Sequence, residues 1–294
     1  MTTKHVTVAI DVGASKIAGA LIGEGFELLH EIVESARHNL DGTIDPELKQ
    51  TKEVISKLLK IAENENYLVD SGGACFAEYV MPNQRLNSKD QIAWKIQPKD
   101  DFKSLTGFNW TIESDVRAMA LAEIHLSSID PNFLFITISS GISHALVISG
   151  EPWSGHTGEA IGFGIIQIDN SIESPTLEEY SSGLGIARRY QKVARAQIES
   201  AEIVFERFNE DPVAKEIIET AASVLGKAIA SLVEILDPSQ IVIGGGLWLG
   251  SHKYRELVMV SYLSNSSKRR PAPPIKNSVA GASAAVIGAA IAAN

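Results

Sequence analysis

The stretch VTVAIDVGASKIAGALIGEGFELLHEIV, residues 6–33, decides the fold. Val6, Val8 and Ile10 stand at period two, a short polar turn follows, and a second apolar run covers Ile17 to Ile22. Gly23-Glu24-Gly25 then precedes a third run, Phe26 to Val33. Period-two runs separated by Gly-bearing turns predict three consecutive strands. Asp45-Pro46 reads as an N-cap with proline at the first helical position. Leu48, Ile55, Leu58, Leu59 and Ala62 follow at helical spacing, so the first unit is three strands and a helix.

The pattern returns about 125 residues later. Phe133 to Ile138 and Ala145 to Ile148 predict strands, and Phe163 to Ile168 a third. Leu177 to Ala196 turns helical, and Asp211-Pro212 opens a long helix that Asp237-Pro238 stops. Ile241 to Ile243 predicts a short buried strand ending in Gly244-Gly245-Gly246, and an Ala-rich helix runs from about Ala282 to Ala293. The expectation is two α/β lobes, a small one from 1–113 with 280–294 and a large one from 114–279. They join where a strand at Phe108 to Ile112 feeds a helix through Glu113-Ser114-Asp115.

With 294 residues, 45% apolar and 21% charged, the chain has a globular composition rather than a disordered one. Lys plus Arg number 26 against 36 Asp plus Glu, a formal charge of −10. Such a surface repels phosphate backbones and anionic lipid, so neither nucleic acid nor membrane is the expected partner. The basic run Lys268-Arg269-Arg270 is too short to reverse this. A single cysteine, Cys75 in the apolar run Ala74-Cys75-Phe76-Ala77, excludes a disulfide framework and reads as a core thiol. No signal-like or membrane-spanning segment stands out, and the expected location is cytoplasmic.

Four loops could carry chemistry. Asp11-Val12-Gly13-Ala14-Ser15-Lys16 lets the backbone approach a phosphate at Gly13, and Asp11 suits a hard cation held through water. It could equally be a plain hairpin turn. Ser139-Ser140-Gly141-Ile142-Ser143 is the equivalent turn of the second lobe. The triple glycine 244–246 either admits a ligand to the backbone or meets a turn's need for positive φ. Asp115 is either a helix cap or a carboxylate base for phosphoryl transfer. His144 and His156 lie in or near the second-lobe loops and lack a metal-ligand partner at useful spacing.

Taken together and in order, these loops resemble the ROK family (repressors, open reading frames and kinases). AIDVGASKIAGALI is similar to its first phosphate loop and ESDVRAMALAE to the segment carrying its catalytic Asp. ITISSGISHALVISGEPWSGHTGEAIGFG is similar to its second phosphate loop and substrate loop, TLEEYSSGLGIARR to its C-L-E-A-Y-x-S-G-x-x-I-A-R-R, and IVIGGG to its adenosine motif. ASAAVIGAA is similar to its C-terminal helix. The resemblance implies a two-lobe actin-like (ribonuclease H-like) ATPase fold with the active site in the inter-lobe cleft. It implies ATP-dependent phosphorylation of a hexose or amino sugar with Mg²⁺, and a homodimer. Asp115 would be the general base. Asp11, Gly13, Ser15 and Lys16 would form the first phosphate loop, with Asp11 holding Mg²⁺ through water. Ser140 and Gly141 would remain of the second loop. Gly244, Gly245 and Gly246 would border adenosine, and Ser114, Glu178 and His156 would face the sugar.

Departures qualify this. Ser114 replaces the family's Asn, Gly162 falls at its sugar-binding Glu and Ile165 at its zinc-binding His, and Thr176 stands at the last cysteine of the zinc element. No zinc site is expected. The alternative to a kinase is a catalytically weakened relative acting as a sugar or nucleotide sensor or a scaffold. Because the first phosphate loop begins at Asp11, no N-terminal DNA-binding module is expected.

Overall fold

The computed structural model describes residues 4–36, 45–87, 94–171, 173–198 and 200–294. Its elements are β1 (His5–Val12), β2 (Lys16–Ile22), β3 (Leu28–Ser35), α1 (Lys49–Asn64), β4 (Leu68–Phe76), α2 (Pro98–Thr106), β5 (Trp110–Ser114) and α3 (Asp115–Leu126). After these come β6 (Phe133–Ile138), β7 (Ile142–Ile148), β8 (Glu151–Pro152), α4 (Leu177–Ser181), α5 (Gly183–Ala194), α6 (Ala201–Glu206) and α7 (Pro212–Leu236). The last are β9 (Ile241–Gly244), α8 (Gly246–Gly250), α9 (His252–Asn265), β10 (Ile275–Asn277) and α10 (Ala284–Ala293).

Contacts divide the chain into two units. The first is 1–129 with 150–161 and 280–294; the second is 130–149 with 162–279. Helix α3, expected in the second lobe, belongs by its packing to the first unit. Its Ala118 and Ala122 and the Ala-rich α10 share one buried cluster with Cys75. The approach is that of backbones: a Cβ on Gly288 would stand 1.7 Å from the Ala118 carbonyl oxygen. Ala284 to Ile291 are buried all round, as an apolar helix without a polar face must be.

The sheet of the first unit runs β3-β2-β1-β4-β5. β1–β2 and β2–β3 are antiparallel, as the tight turns predicted, while β1–β4 and β4–β5 are parallel. One face packs on α1 through Val54, Ile55 and Leu58, the other on α10. In the second unit β6 pairs antiparallel with β7 and parallel with β9, which pairs parallel with β10. Its core joins the inner residues of β6 and β9 to α7 and α9.

Several expectations shift. The expected strand from Phe163 to Ile168 is instead a single 3-10 turn, Gly162–Ile165, which leaves Ile165 63% exposed. The third strand starts at Leu28 rather than Phe26, because Gly25 and Phe26 adopt positive φ in a preceding turn. The helix expected from 177 to 196 is two, since Ser182 stops α4 and caps α5 by accepting the Gly185 N–H at 3.1 Å. The β5 strand spans 110–114, two residues later than expected. The cap expected at Asp45-Pro46 lies outside the helix: α1 starts at Lys49 with Leu48 at positive φ in the cap position, and the Asp45 carboxylate instead closes the preceding turn by accepting the N–H groups of Glu47 and Lys49, both at 3.0 Å.

Among the described residues no helix is long and apolar enough to cross a membrane. The basic run meets acidic partners, with Arg269 on Glu234 at 3.2 Å and Arg270 on Asp237.

Candidate active site

Three parallel strands of the first unit end level with one another. Val12 lies opposite Phe76, and Phe76 opposite Ser114. The carboxyl ends of such strands are where α/β sheets place ligands, because side chains there leave the ladder for open space. Asp11 and Asp115 both stand at this edge. Asp11 is 9% exposed, and its Oδ1 accepts a hydrogen bond from the Cys75 thiol at 3.6 Å. Burial raises its carboxyl above the usual range, against the opposing pull of that thiol and of Lys16.

Asp115 opens α3. Its Oδ1 accepts the Val116 N–H at 2.7 Å, while Ser114, in the cap position, makes no side-chain cap. Partial burial, and next the negative charge of Asp11, push the Asp115 carboxyl up to about 7. Hydrogen bonds from the helix backbone and the charge of Arg117 oppose this without cancelling it. A group poised near neutral pH suits proton transfer. Asp115 therefore bonds its own helix and also carries a perturbed carboxyl. The Cys75 thiol between the aspartates and α10 is fully buried, and burial pushes it well above its ordinary value.

The first turn closes on itself, because the Gly13 N–H donates to the Lys16 carbonyl at 3.0 Å. That amide is spent. The exposed atoms of the turn are those of Ala14, Ser15 and Lys16, and the Ser15 carbonyl accepts the Ala36 N–H.

In the second unit the turn between β6 and β7 is held by α4 and α5. The Ser139 carbonyl accepts the Gly183 N–H at 2.8 Å and the Ser140 carbonyl that of Leu184 at 3.3 Å. Glu178 Oε2 accepts the Ile142 N–H at 2.7 Å, and a Cβ on Gly141 would stand 2.6 Å from that oxygen. Glu178, expected at a sugar, is thus a brace of the second turn, although it stays exposed. Gly245 has φ +93°, and a Cβ there would meet the Ile138 carbonyl at 2.4 Å. Turn geometry alone therefore accounts for this glycine, while Gly244 is buried and Gly246 exposed.

The remaining expected residues divide. Ser114 is wholly buried and its hydroxyl has no hydrogen-bond partner among the described residues. His156 is exposed in a loop of the first unit, and His144 Nδ1 accepts the Phe163 N–H at 3.3 Å. Gly162 and Ile165 bring no charge to the 3-10 turn. No group of three or more His, Cys, Asp or Glu among the described residues could hold a metal ion.

Two residues escaped the sequence reading. Arg117, 1% exposed, donates to Glu113 Oε1 at 2.6 Å, the Val80 carbonyl at 2.7 Å and the Gly158 carbonyl at 3.2 Å. It ties two loops to the helix that begins with Asp115, and its signal was the Glu-to-Arg spacing of four. The other is Glu78, 6% exposed, for which the sequence offered no pattern.

Two mixed α/β sheets, each with a hairpin turn beside parallel strands, make this an actin-like ATPase fold. The chain belongs to the ROK family, whose model matches residues 7–294. The glucokinase of Streptomyces coelicolor is 23% identical over 268 residues, covering 82% of each chain. An N-acetylmannosamine kinase of Vibrio cholerae is 24% identical over 255 residues, covering 83% of this chain and 84% of its own. The crystal structure of a ROK family glucokinase from Streptomyces griseus, in complex with glucose and AMPPNP, superposes with a TM-score of 0.80 at 22% identity, covering 98% of this chain and 99% of that one.

Proposed function

We propose that this protein transfers the γ-phosphoryl group of ATP to a hydroxyl of a hexose or amino sugar, with Asp115 as general base. The observation that carries the reading is the Asp115 carboxyl, raised to about 7 at the end of β5. The sugar-kinase relatives support the reaction class. In the reaction Asp115 takes the proton of the acceptor hydroxyl as its oxygen bonds to phosphorus, and the bond from the γ-phosphorus to the leaving oxygen of ADP breaks. Positioning and charge stabilisation supply most of the acceleration in such transfers.

Asp11 fits a Mg²⁺ held through water. Its negative charge raises the Asp115 carboxyl, and a divalent cation relieves that repulsion; its oxygen donors also match a hard ion. The ion would neutralise charge on the transferred group. Ser15 and Lys16 are the exposed groups of the first turn for phosphate, and the exposed Ser140 and half-buried Gly141 those of the second. Gly244 to Gly246 are the adenosine candidates. With Oε2 engaged, Glu178 offers a ligand its Oε1.

The test is ADP release from ATP·Mg²⁺ across hexoses, amino sugars and N-acetyl sugars, with Asp115→Asn alongside. Turnover with one acceptor, lost in the variant, is the expected result. No turnover with any sugar, or equal rates in the variant, overturns it.

A further inference from the structure

The first unit contains buried polar atoms that the fold itself does not satisfy. Thr51 Oγ1, Glu78 Oε2, Trp94 Nε1 and Ser114 Oγ have no hydrogen-bond partner among the described residues. Asp101 Oδ2 also lacks one but faces Lys52 as an ion pair at 2.6 Å. Three of the four gather at one place. Ser114 lies opposite Phe76 at the end of β5, the Trp94 ring packs edge-on against Phe76 at 5.9 Å, and Glu78 follows Phe76 by two residues.

Glu78 is held in this position by its neighbours. The Ala77 N–H donates to the Val12 carbonyl at 3.2 Å and extends the ladder one residue past β4. The Val80 carbonyl is gripped by Arg117 of α3, the helix that begins with Asp115. Two residues of chain span at most about 7 Å, so Glu78 is confined between these anchors. Its Oε1 accepts the Tyr79 N–H at 2.9 Å. Its Oε2 accepts nothing, although the residue is only 6% exposed. A buried acceptor without a donor is costly, and a carboxylate more so than a neutral oxygen. An orphan on the segment that Arg117 ties to the helix opened by Asp115 marks a place where a ligand completes the set.

We propose that Glu78 is a specificity-determining residue whose Oε2 accepts a hydrogen bond from a ring hydroxyl or amino group of the acceptor sugar. The inference rests on the reading of this chain as a sugar kinase. The chemistry it selects is a hydrogen-bond donor. A group presenting only an acceptor there, such as an acetamido carbonyl oxygen turned toward Oε2, would set two acceptors against each other, so this position on the sugar presents an O–H or N–H.

The experiment is titration calorimetry of the intact protein, without nucleotide, against hexoses, amino sugars, N-acetyl sugars and the monodeoxy analogues of the tightest binder. It is run with wild type and with Glu78→Gln, which keeps an oxygen for the Tyr79 N–H. Charge-assisted hydrogen bonds predict a loss of about tenfold or more in affinity for the best sugar. One deoxy analogue should bind wild type as weakly as the variant binds the parent sugar, and should lose nothing further in the variant. Glu78→Asp, with its carboxylate drawn back by one methylene, should fall between, and it serves if the Gln variant does not fold. Affinities within twofold of wild type, or a deoxy penalty unchanged in the variant, overturn the inference and leave water as the partner of Oε2. A wild type that binds no sugar overturns it as well. Sugar binding that depends on Glu78 without any ADP release overturns the phosphoryl-transfer reading alone.

Discussion

The two hairpin turns occupy equivalent places, one between β1 and β2 of the first sheet, the other between β6 and β7 of the second. Their surroundings differ. Around the second turn the polar groups are matched: two carbonyls meet the N–H groups of Gly183 and Leu184, and Glu178 takes the Ile142 N–H. Around the first, two aspartates sit with raised carboxyls, and Glu78 and Ser114 hold buried oxygens without partners. Every buried side-chain atom left unpartnered among the described residues belongs to the first unit. Folding has completed the surroundings of one turn and left those of the other electrostatically frustrated. The frustrated surroundings of the first turn are therefore where proton transfer is expected, and the completed turn is where rigidity is expected.

The largest effect that would break this contrast is on turnover. Asp115→Asn keeps the size of the side chain and removes the base, so kcat should fall about 10²–10⁴-fold with sugar affinity preserved. A steady-state assay showing less than a tenfold loss places the base elsewhere.

Removing the brace tests the completed side. Glu178→Ala deprives the Ile142 N–H of its acceptor and should destabilise by about 1–2 kcal/mol, read as a fall in the urea midpoint. An unchanged midpoint would mean that the second turn holds without it.

The raised Asp115 carboxyl also has a stability signature. Its pKa of about 7 lies above the ordinary 3.8. The folded state therefore binds the proton more tightly, and stability falls as pH rises from about 4 to about 7. Asp115→Asn abolishes that loss, so it should raise Tm by several degrees at pH 8 and by roughly a third as much at pH 5. An equal gain at both pH values would argue against a titrating carboxyl.

The smallest effect is at Ser114. Deleting a buried hydroxyl that has no partner removes no hydrogen bond and relieves its desolvation, so Ser114→Ala should leave stability unchanged or raise it, by up to about 1 kcal/mol. A calorimetric loss of stability would show the hydroxyl to be satisfied after all.

Much of this was legible in residues 6–33, where strict alternation and Gly-bearing turns announced the β-meander. Asp211-Pro212 and Asp237-Pro238 marked both ends of α7. Strand β4 was missed because Gly72-Gly73 interrupts its apolar pattern; those glycines exist for close neighbours, the Trp110 ring and the Ala289 carbonyl. The run 163–168 is apolar enough for a strand, but among the described residues the 3-10 turn forms no ladder beyond the isolated bridge of Gln167 to Thr176. At the site, Asp11 and Asp115 were legible because each stands where a strand gives way to a turn or a helix. Glu78 was not, since its importance comes from what fails to touch it, which no local pattern encodes. The bracing role of Glu178 was hidden for a related reason: its partner lies 36 residues away in sequence.

Helix α10 has a consequence for the order of events during synthesis. The first unit opens the chain, yet one face of its sheet is covered by residues 280–294. The second unit needs nothing beyond residue 279. At a translation rate of about 5–20 residues per second, residue 280 emerges on the order of ten to thirty seconds after residue 129. The unit that starts second can finish first. Until then the nascent first unit carries an uncovered apolar sheet face, and that interval is when a chaperone would have most to hold.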